Sequence, residues 1–268
     1  MIRYERPDAH PHVAVVTIDR PDRANCLNLS MLRDLARAWR EIAADDDVRC
    51  AVLCGAGDRV FCAGMDMKST IPVSQKLAAG ERVDPDDFEG LRSASTALLA
   101  GFDLATPLIC AINGHARAGG FDLMLASEIR YAAPGATFAL EEVGLGLYPT
   151  GNSTVLLLRQ IPWVHANELM LGAKAIDAAR ALEIGLINEV VAADELLARA
   201  LSMADTIARN APLAVRATRR GIRELIGRTL AEGYPLQEEI GSPLRKSRDA
   251  REAQQAFIEK RKPHFTGE

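Results

Sequence analysis

Two short segments of small residues, Phe61-Cys62-Ala63-Gly64-Met65-Asp66 and Asn113-Gly114-His115-Ala116-Arg117-Ala118-Gly119-Gly120-Phe121-Asp122, each follow an apolar run that reads as a buried strand. With so little side-chain bulk, main-chain N–H groups can approach a ligand closely. A second acid, Glu142, lies twenty positions after Asp122. Two amide loops opposite two carboxylates suit chemistry on a carbonyl compound, the amides holding a developing oxyanion while the acids move protons. Each feature also has a purely structural reading. Paired glycines allow a helix to pack closely on a strand, an acid in a first helical turn complements the helix dipole, and Glu142 alone is a loop carboxylate.

The elements that must position these residues alternate short apolar strands with amphipathic helices, the signature of an α/β fold. Strand-like runs fall at Val13 to Ile18, Cys50 to Cys54, Leu108 to Ile112 and Ile129 to Ala132. Each is followed by a turn, a helix or a loop, so function is expected at the strand ends. A helix is predicted from Asn28 to Ala44, with Leu32, Leu35, Ala36, Trp39 and Ile42 on one face and Asn28 or Ser30 as its cap. The Pro-, Gly- and charge-rich stretch from Ser69 to Asp87 has weak periodicity and reads as a mobile loop or short helix. After Asp194 the pattern turns helical, with candidates at Glu195 to Arg209, Pro212 to Ile226 and Asp249 to Arg261, and Asn210 as a cap before Pro212. Two regions are therefore expected, a core over 1–194 and a helical region over 195–268.

The 268 residues, 48% of them hydrophobic, are enough for one large domain with an appendage. A net charge of −4 with dispersed basic residues argues against a nucleic-acid partner. The charged start Met1-Ile2-Arg3-Tyr4-Glu5-Arg6 carries no signal-like or membrane-spanning run, so a cytoplasmic protein is expected. Cys26, Cys50, Cys54, Cys62 and Cys110 make an odd set, three of them in strand-like runs, and are expected to be free. They lack ligand spacing, and no metal is expected. Neither Gly55-Ala56-Gly57 nor Gly144-Leu145-Gly146 completes a dinucleotide-binding fingerprint, which disfavours a nicotinamide oxidoreductase.

Over essentially its whole length the chain resembles the crotonase, or enoyl-CoA hydratase/isomerase, family. The likeness rests on ordered motifs: Asp19-Arg20-Pro21 with Asn25-Cys26-Leu27-Asn28, then Phe61 to Lys68, Asn113 to Asp122, Leu140 to Pro149 and Ala178 to Val191. The resemblance implies a spiral of repeated strand-strand-helix units with a C-terminal helical region used in trimerisation, hence a homotrimer or dimer of trimers. It implies an acyl-CoA thioester substrate, with coenzyme A part of the substrate rather than a separate cofactor, and an enolate-like intermediate. By motif position the oxyanion donors are the amides of Met65 and Gly119, and the acids are Asp122 and Glu142. Contacts to the substrate and its CoA portion fall to Arg23, Ala24, Ala63, Asp66, Lys68, Gly120 and Tyr148, and to Phe257 and Lys260 near the C-terminus, often across a subunit boundary.

The implied reaction is hydration of a trans-2-enoyl-CoA, with Glu142 as proton donor to the α-carbon and Asp122 activating water. The chain departs from the usual hydratase pattern at Asp122, where the family carries glutamate, and a carboxylate one methylene shorter must be placed differently. Dienoyl-CoA isomerases of the family pair Asp with Glu but add an acid where this chain has Thr150, so double-bond isomerisation is the runner-up. A CoA-ester binding protein with impaired catalysis is the alternative of another class. Tyr148, Thr150 and Asn152 replace a glycine-rich turn and are expected at the pocket edge, suited to a polar or ring-bearing acyl group such as a sterol side chain.

Overall fold

The computed structural model describes residues 1–268. Two sheets organise the chain. The larger has the order β1 (Ile2–Glu5), β2 (Val13–Ile18), β3 (Cys50–Gly55), β5 (Leu108–Ile112), β7 (Ile129–Ala132) and β10 (Glu189–Val190). β1 is antiparallel to β2, and every other pairing is parallel. Strands β2, β3 and β5 read as near-continuous apolar runs, with Thr17 the polar exception in β2, because both faces are covered. Ala14, Val16, Ile18, Ala51 and Leu53 face one core with the apolar stripe of α1 (Leu29–Ala44), whereas Val13, Val15, Cys50, Val52 and Ile109 face a second core closed by α9 (Leu196–Ala208). Asn28 caps α1 by accepting from the Met31 amide at 3.0 Å.

The smaller sheet has the order β4 (Val60–Cys62), β6 (His115–Arg117), β8 (Thr137–Ala139) and β9 (Ile176–Asp177). β4, β6 and β8 run parallel, so the segments leaving their C-terminal ends emerge on one side of the sheet. Ligand sites in parallel sheets form at such carboxyl edges. Those exits are Ala63 to Asp66, Ala118 to Asp122 and Leu140 to Leu145, which brings together the two amide loops and both acids.

Helices complete the layers: α2 (Met67–Ala78), α3 (Pro85–Arg92) and α4 (Ala94–Ala97) follow β4, and α5 (Gly119–Leu125) follows β6. Then come α6 (Leu158–Gln160), α7 (Trp163–Gly172) and α8 (Ala178–Glu183). The stretch expected to be a loop or short helix is instead largely helical. Asp66 starts α2 by accepting from the Lys68 amide, and Asp84 caps α3 through the Asp86 and Asp87 amides. Pro72 lies inside α2, and only Thr70 and Val73 are buried on it, which is why the periodicity is weak. Beyond α9 the chain forms α10 (Pro212–Leu225), α11 (Leu230–Gly241) and α12 (Arg248–Glu259). Ala211, not Asn210, precedes α10, with no side-chain cap. The helix α11 was not anticipated, although Thr229 and Glu232 form a full capping box. The helix next to the expected change of pattern, α9, belongs with the sheet, and the more peripheral helices begin at Pro212. No helix is long and apolar enough to cross a membrane.

Candidate active site

The two amide loops meet through glycine. A Cβ placed on Gly119 would lie 3.4 Å from the Gly64 Cα and 3.6 Å from the Met65 nitrogen, so the two donor amides are near neighbours. Gly64 has φ +85°, and a Cβ there would come within 2.9 Å of the Gly119 nitrogen. Glycine at 64 is thus needed both for backbone conformation and to leave the Gly119 amide uncovered. Ala118 holds φ 45° and ψ −121°, a region strained for any side-chain-bearing residue, immediately before Gly119. Neither the Met65 nor the Gly119 N–H has a main-chain acceptor, whereas their neighbours do: Asp66 donates to the Leu27 carbonyl and Ala118 to the Ala139 carbonyl.

Gly120 has the structural role. A Cβ there would sit 2.1 Å from the Cys62 carbonyl oxygen, so this glycine lets α5 lie against the end of β4. Asn113 and Gly114 likewise join loops: the Asn113 side chain donates to the Gly57 carbonyl at 2.8 Å and accepts from the Gly55 amide, and Gly114 abuts Arg59.

Asp122 is 3% exposed in the first turn of α5. Its Oδ1 accepts from the Asn152 amide at 2.8 Å, the Ser153 amide at 2.7 Å and the Ser153 hydroxyl. Its Oδ2 accepts from no protein group and lies against Gly151, where an added Cβ would be 2.1 Å away. Burial raises the Asp122 carboxyl above its ordinary range, and the Ser153 and Asn152 donors oppose that rise. Glu142 opens the short 3₁₀ turn Glu142–Leu145, and its Oε2 is buried without any hydrogen-bond partner. Its carboxyl is also pushed up, first by burial and then by the negative charges of Asp122 and Glu141. The acid with donors on one oxygen is therefore favoured as the carboxylate, and the acid with an orphaned oxygen as the protonated partner.

Beside the Met65 amide a cleft of about 270 Å³ is lined by Arg23, Cys26, Met65, Asp66, Met67 and Lys68. Between its lining residues Arg23 and Cys26 the chain passes through two consecutive left-handed residues, Ala24 and Asn25. The buried Asn25 side chain accepts from the Arg20 amide and donates to the Ala56 and Val60 carbonyls, while the Ala24 carbonyl receives the Ala63 amide at 3.1 Å. Arg23, Ala24, Ala63 and Lys68 thus gather at one place. Asp66 lines the cleft but its carboxylate is committed, Oδ1 to the Lys68 amide and Oδ2 to Arg20 at 2.7 Å. The Arg20 hydrogen bond holds the Asp66 carboxyl below its usual value.

Other expected residues lie elsewhere. Phe257, 85% exposed, and Lys260, the left-handed residue ending α12, do not line this cleft. Tyr148 is exposed, its hydroxyl donating to Thr154 Oγ1 at 3.2 Å, and Thr150 is exposed as well. The expectation that Asn152 lines a pocket edge is overturned. Its side chain is buried and donates to the Leu98 and Asp122 carbonyls, because the turn after Pro149 folds inward onto α5. Ser153 and Gly151 carry no motif signal and emerge only from this folding. No group of three His, Cys, Asp or Glu side chains is placed to hold a metal ion.

The chain matches the family model described as enoyl-CoA hydratase/isomerase over residues 8–268. It is 41% identical, over 95% of its length and 93% of the relative's, to the enoyl-CoA hydratase EchA19 of Mycobacterium tuberculosis. It is 36% identical to the (E)-benzylidenesuccinyl-CoA hydratase of Thauera aromatica, with 96% of each chain covered. Among solved structures, the enoyl-CoA hydratase of Bacillus anthracis superposes with a TM-score of 0.90 at 32% identity, covering 100% of this chain and 99% of that one.

Proposed function

Since the chain belongs to the enoyl-CoA hydratase/isomerase family, we propose that it adds water across the trans-2 double bond of an acyl-CoA thioester. The observation that carries this reading is the pairing of two unoccupied carboxyl oxygens, Asp122 Oδ2 and Glu142 Oε2, with two amides that lack main-chain acceptors. The thioester carbonyl accepts from Met65 and Gly119. The Asp122 carboxylate takes a proton from water as the water oxygen bonds to the β-carbon, and the π electrons move toward the thioester oxygen. The amides stabilise that charge; losing one such donor typically costs about 2.7–4 kcal/mol in the barrier. Glu142 gives its proton to the α-carbon, and the proton held by Asp122 returns to Glu142, which restores both acids.

The cleft beside Met65 supports a path for the CoA portion along Arg23, Ala24 and Lys68. Phe257 and Lys260 would meet that portion from a neighbouring subunit. The exposed Ile222, Ile226, Leu230, Tyr234, Phe257 and Ile258 of the C-terminal helices are what a homotrimer would bury. Incubation with short and long trans-2-enoyl-CoA esters is expected to bleach the enoyl absorbance, with Glu142→Gln sharply slowing turnover while CoA-ester affinity persists. No bleaching with any ester overturns the reading. Isomerisation by Glu142 alone is a second reading, favoured by the engagement of Asp122 with residues 152 and 153; a product carrying solvent ¹⁸O excludes it.

A further inference from the structure

The segment after the active-site turn is fastened to α5 at both ends. At its start, Asn152 and Ser153 place three donors on Asp122 Oδ1, and the Asn152 side chain also donates to the Asp122 carbonyl at 2.9 Å. Ser153–Leu157 then forms a widened π-helical turn that runs into α6. At its end, Gln160 Nε2 donates to the Leu125 carbonyl at 3.0 Å, and Gln160 Oε1 accepts from Arg130 at 2.8 Å. The buried Arg130 guanidinium also donates to the Met124 and Leu125 carbonyls, the C-terminal end of α5, and to the Leu186 carbonyl. Its hydrogen bonds go to carbonyls and neutral side chains, with the charge of Glu128 acting only from a distance, so helix-end carbonyls largely stand in for a counter-ion. The short catalytic helix, only seven residues long, is therefore gripped at its acid and at its tail by one neighbouring strut.

We propose that Asn152 to Gln160 is a brace for the catalytic helix, and that Ser153 is a positioning residue whose hydroxyl fixes the Asp122 carboxylate with Oδ2 turned to the substrate water. The proposal rests on the hydration reading above. It explains how an acid one methylene short of glutamate keeps a defined position. Three donors converge on one oxygen, so the carboxylate cannot turn out of its plane without losing all three. Gly151 supplies the space on the other side, because any side chain there would occupy the face of Oδ2. A charge-assisted hydroxyl also favours the ionised form that a general base requires.

The ionisable side chain facing Asp122 is Glu142, which feels its charge and that of Glu141. Residues 151–157 carry none, β4 contributes only the buried Cys62, and in β6 His115 and Arg117 bond to Thr137 at 2.8 Å each. A move of the acid limb of the pH profile on changing Ser153 therefore reports the Asp122–Glu142 pair, and titrating the Asp122 carboxyl directly assigns it.

The test is Ser153→Ala, with Ser153→Cys as a near-isosteric weaker donor. Expected for Ser153→Ala are an unchanged KM, a kcat about tenfold lower and an acid limb of kcat/KM about one pH unit higher, consistent with losing one of three donors to a charge. Ser153→Cys should fall between, and it decides the matter if the alanine variant does not fold. In an Asp122→Asn background Ser153→Ala should cost nothing further. An unmoved acid limb, or an equal loss in both backgrounds, overturns the brace. A ¹³C NMR titration of the Asp122 carboxyl should show the same rise without any turnover. If the wild-type protein hydrates no enoyl ester, the functional reading fails, while this titration still decides the role of Ser153.

Discussion

Gly151→Ala isolates the position of one carboxylate from everything else in the fold. Gly151 does not occupy the left-handed region, so alanine is conformationally acceptable there, and the whole effect is contact. The new Cβ would stand 2.1 Å from Asp122 Oδ2 and 2.3 Å from its Cγ, distances that carbon atoms do not sustain. Either the carboxylate or the turn must retreat by about 1 Å, a misplacement worth on the order of a hundredfold in rate when it affects a reacting group. That corresponds to roughly 2.7 kcal/mol in the barrier. Overpacking of this kind typically costs about 1–3 kcal/mol in stability, so the variant is expected to fold. The assay is steady-state loss of enoyl absorbance beside a thermal melt. Gly135→Ala, whose Cβ meets nothing within 4 Å, is the control and should change neither. A Gly151→Ala enzyme that folds and keeps kcat within twofold of wild type would refute the reasoning, because it would show that the acid need not stand where Gly151 lets it stand.

The remaining expectations follow from the same geometry. Glu142→Gln should lower kcat by about 10²–10⁴-fold, the usual contribution of a general acid. Its melting temperature should be no lower than wild type at neutral pH, since a raised folded-state carboxyl pKa means that stability falls as pH rises through it; a drop of several degrees contradicts this. The kcat/KM profile should be bell-shaped, limited on the acid side by protonation of Asp122 and on the basic side by deprotonation of Glu142, both limbs displaced above ordinary carboxyl values. A flat profile from pH 5 to 9, roughly, would argue against paired acids. Alkylation of the native protein should spare Cys62 and Cys110, whose thiols burial pushes up to about 12, and should reach Cys26 first among cleft residues. A CoA ester should protect Cys26, and undiminished labelling would place the ligand elsewhere. Gly64→Ala should reduce turnover more than binding, because its Cβ would crowd the Gly119 amide.

Much of the fold was legible because burial writes itself into period. The runs at Val13 and Cys50 are apolar on both faces because α1 and α9 cover both, and α1 shows its stripe and its Asn28 cap outright. The helices α2 and α11 were hidden for a common reason. Each contains a proline, Pro72 or Pro235, and buries few side chains, so capping rather than amphipathic pattern marks it. In α11 the Thr229–Glu232 capping box was a usable signal. At the site, motif order pointed to the amides and acids, since these sit at strand ends whose sequence is constrained locally. The role of Asn152, Ser153 and Gly151 was not legible: they act across a separation of about thirty residues, and only the inward fold of one turn brings them to Asp122.

The site divides its labour between two kinds of constraint. Donor geometry is set by backbone, through the left-handed Gly64, the strained Ala118 and the register of parallel β4 and β6, so side-chain substitution at Met65 leaves its N–H in place. Acid geometry is set by what each carboxyl is denied. Asp122 is given three donors on one oxygen and none on the other, whereas Glu142 has a buried oxygen with no partner at all. An unsatisfied buried acceptor typically costs about 1–3 kcal/mol, so retaining one is a stability deficit that a protonated, substrate-facing acid accounts for. Two similar side chains reached from adjacent strand ends thereby sit in opposite surroundings, one offered donors and the other denied them, and the asymmetry lies there rather than in their chemistry. Shortening the first acid to aspartate fits that arrangement, because the brace, not the side chain's own length, decides where the carboxylate stands.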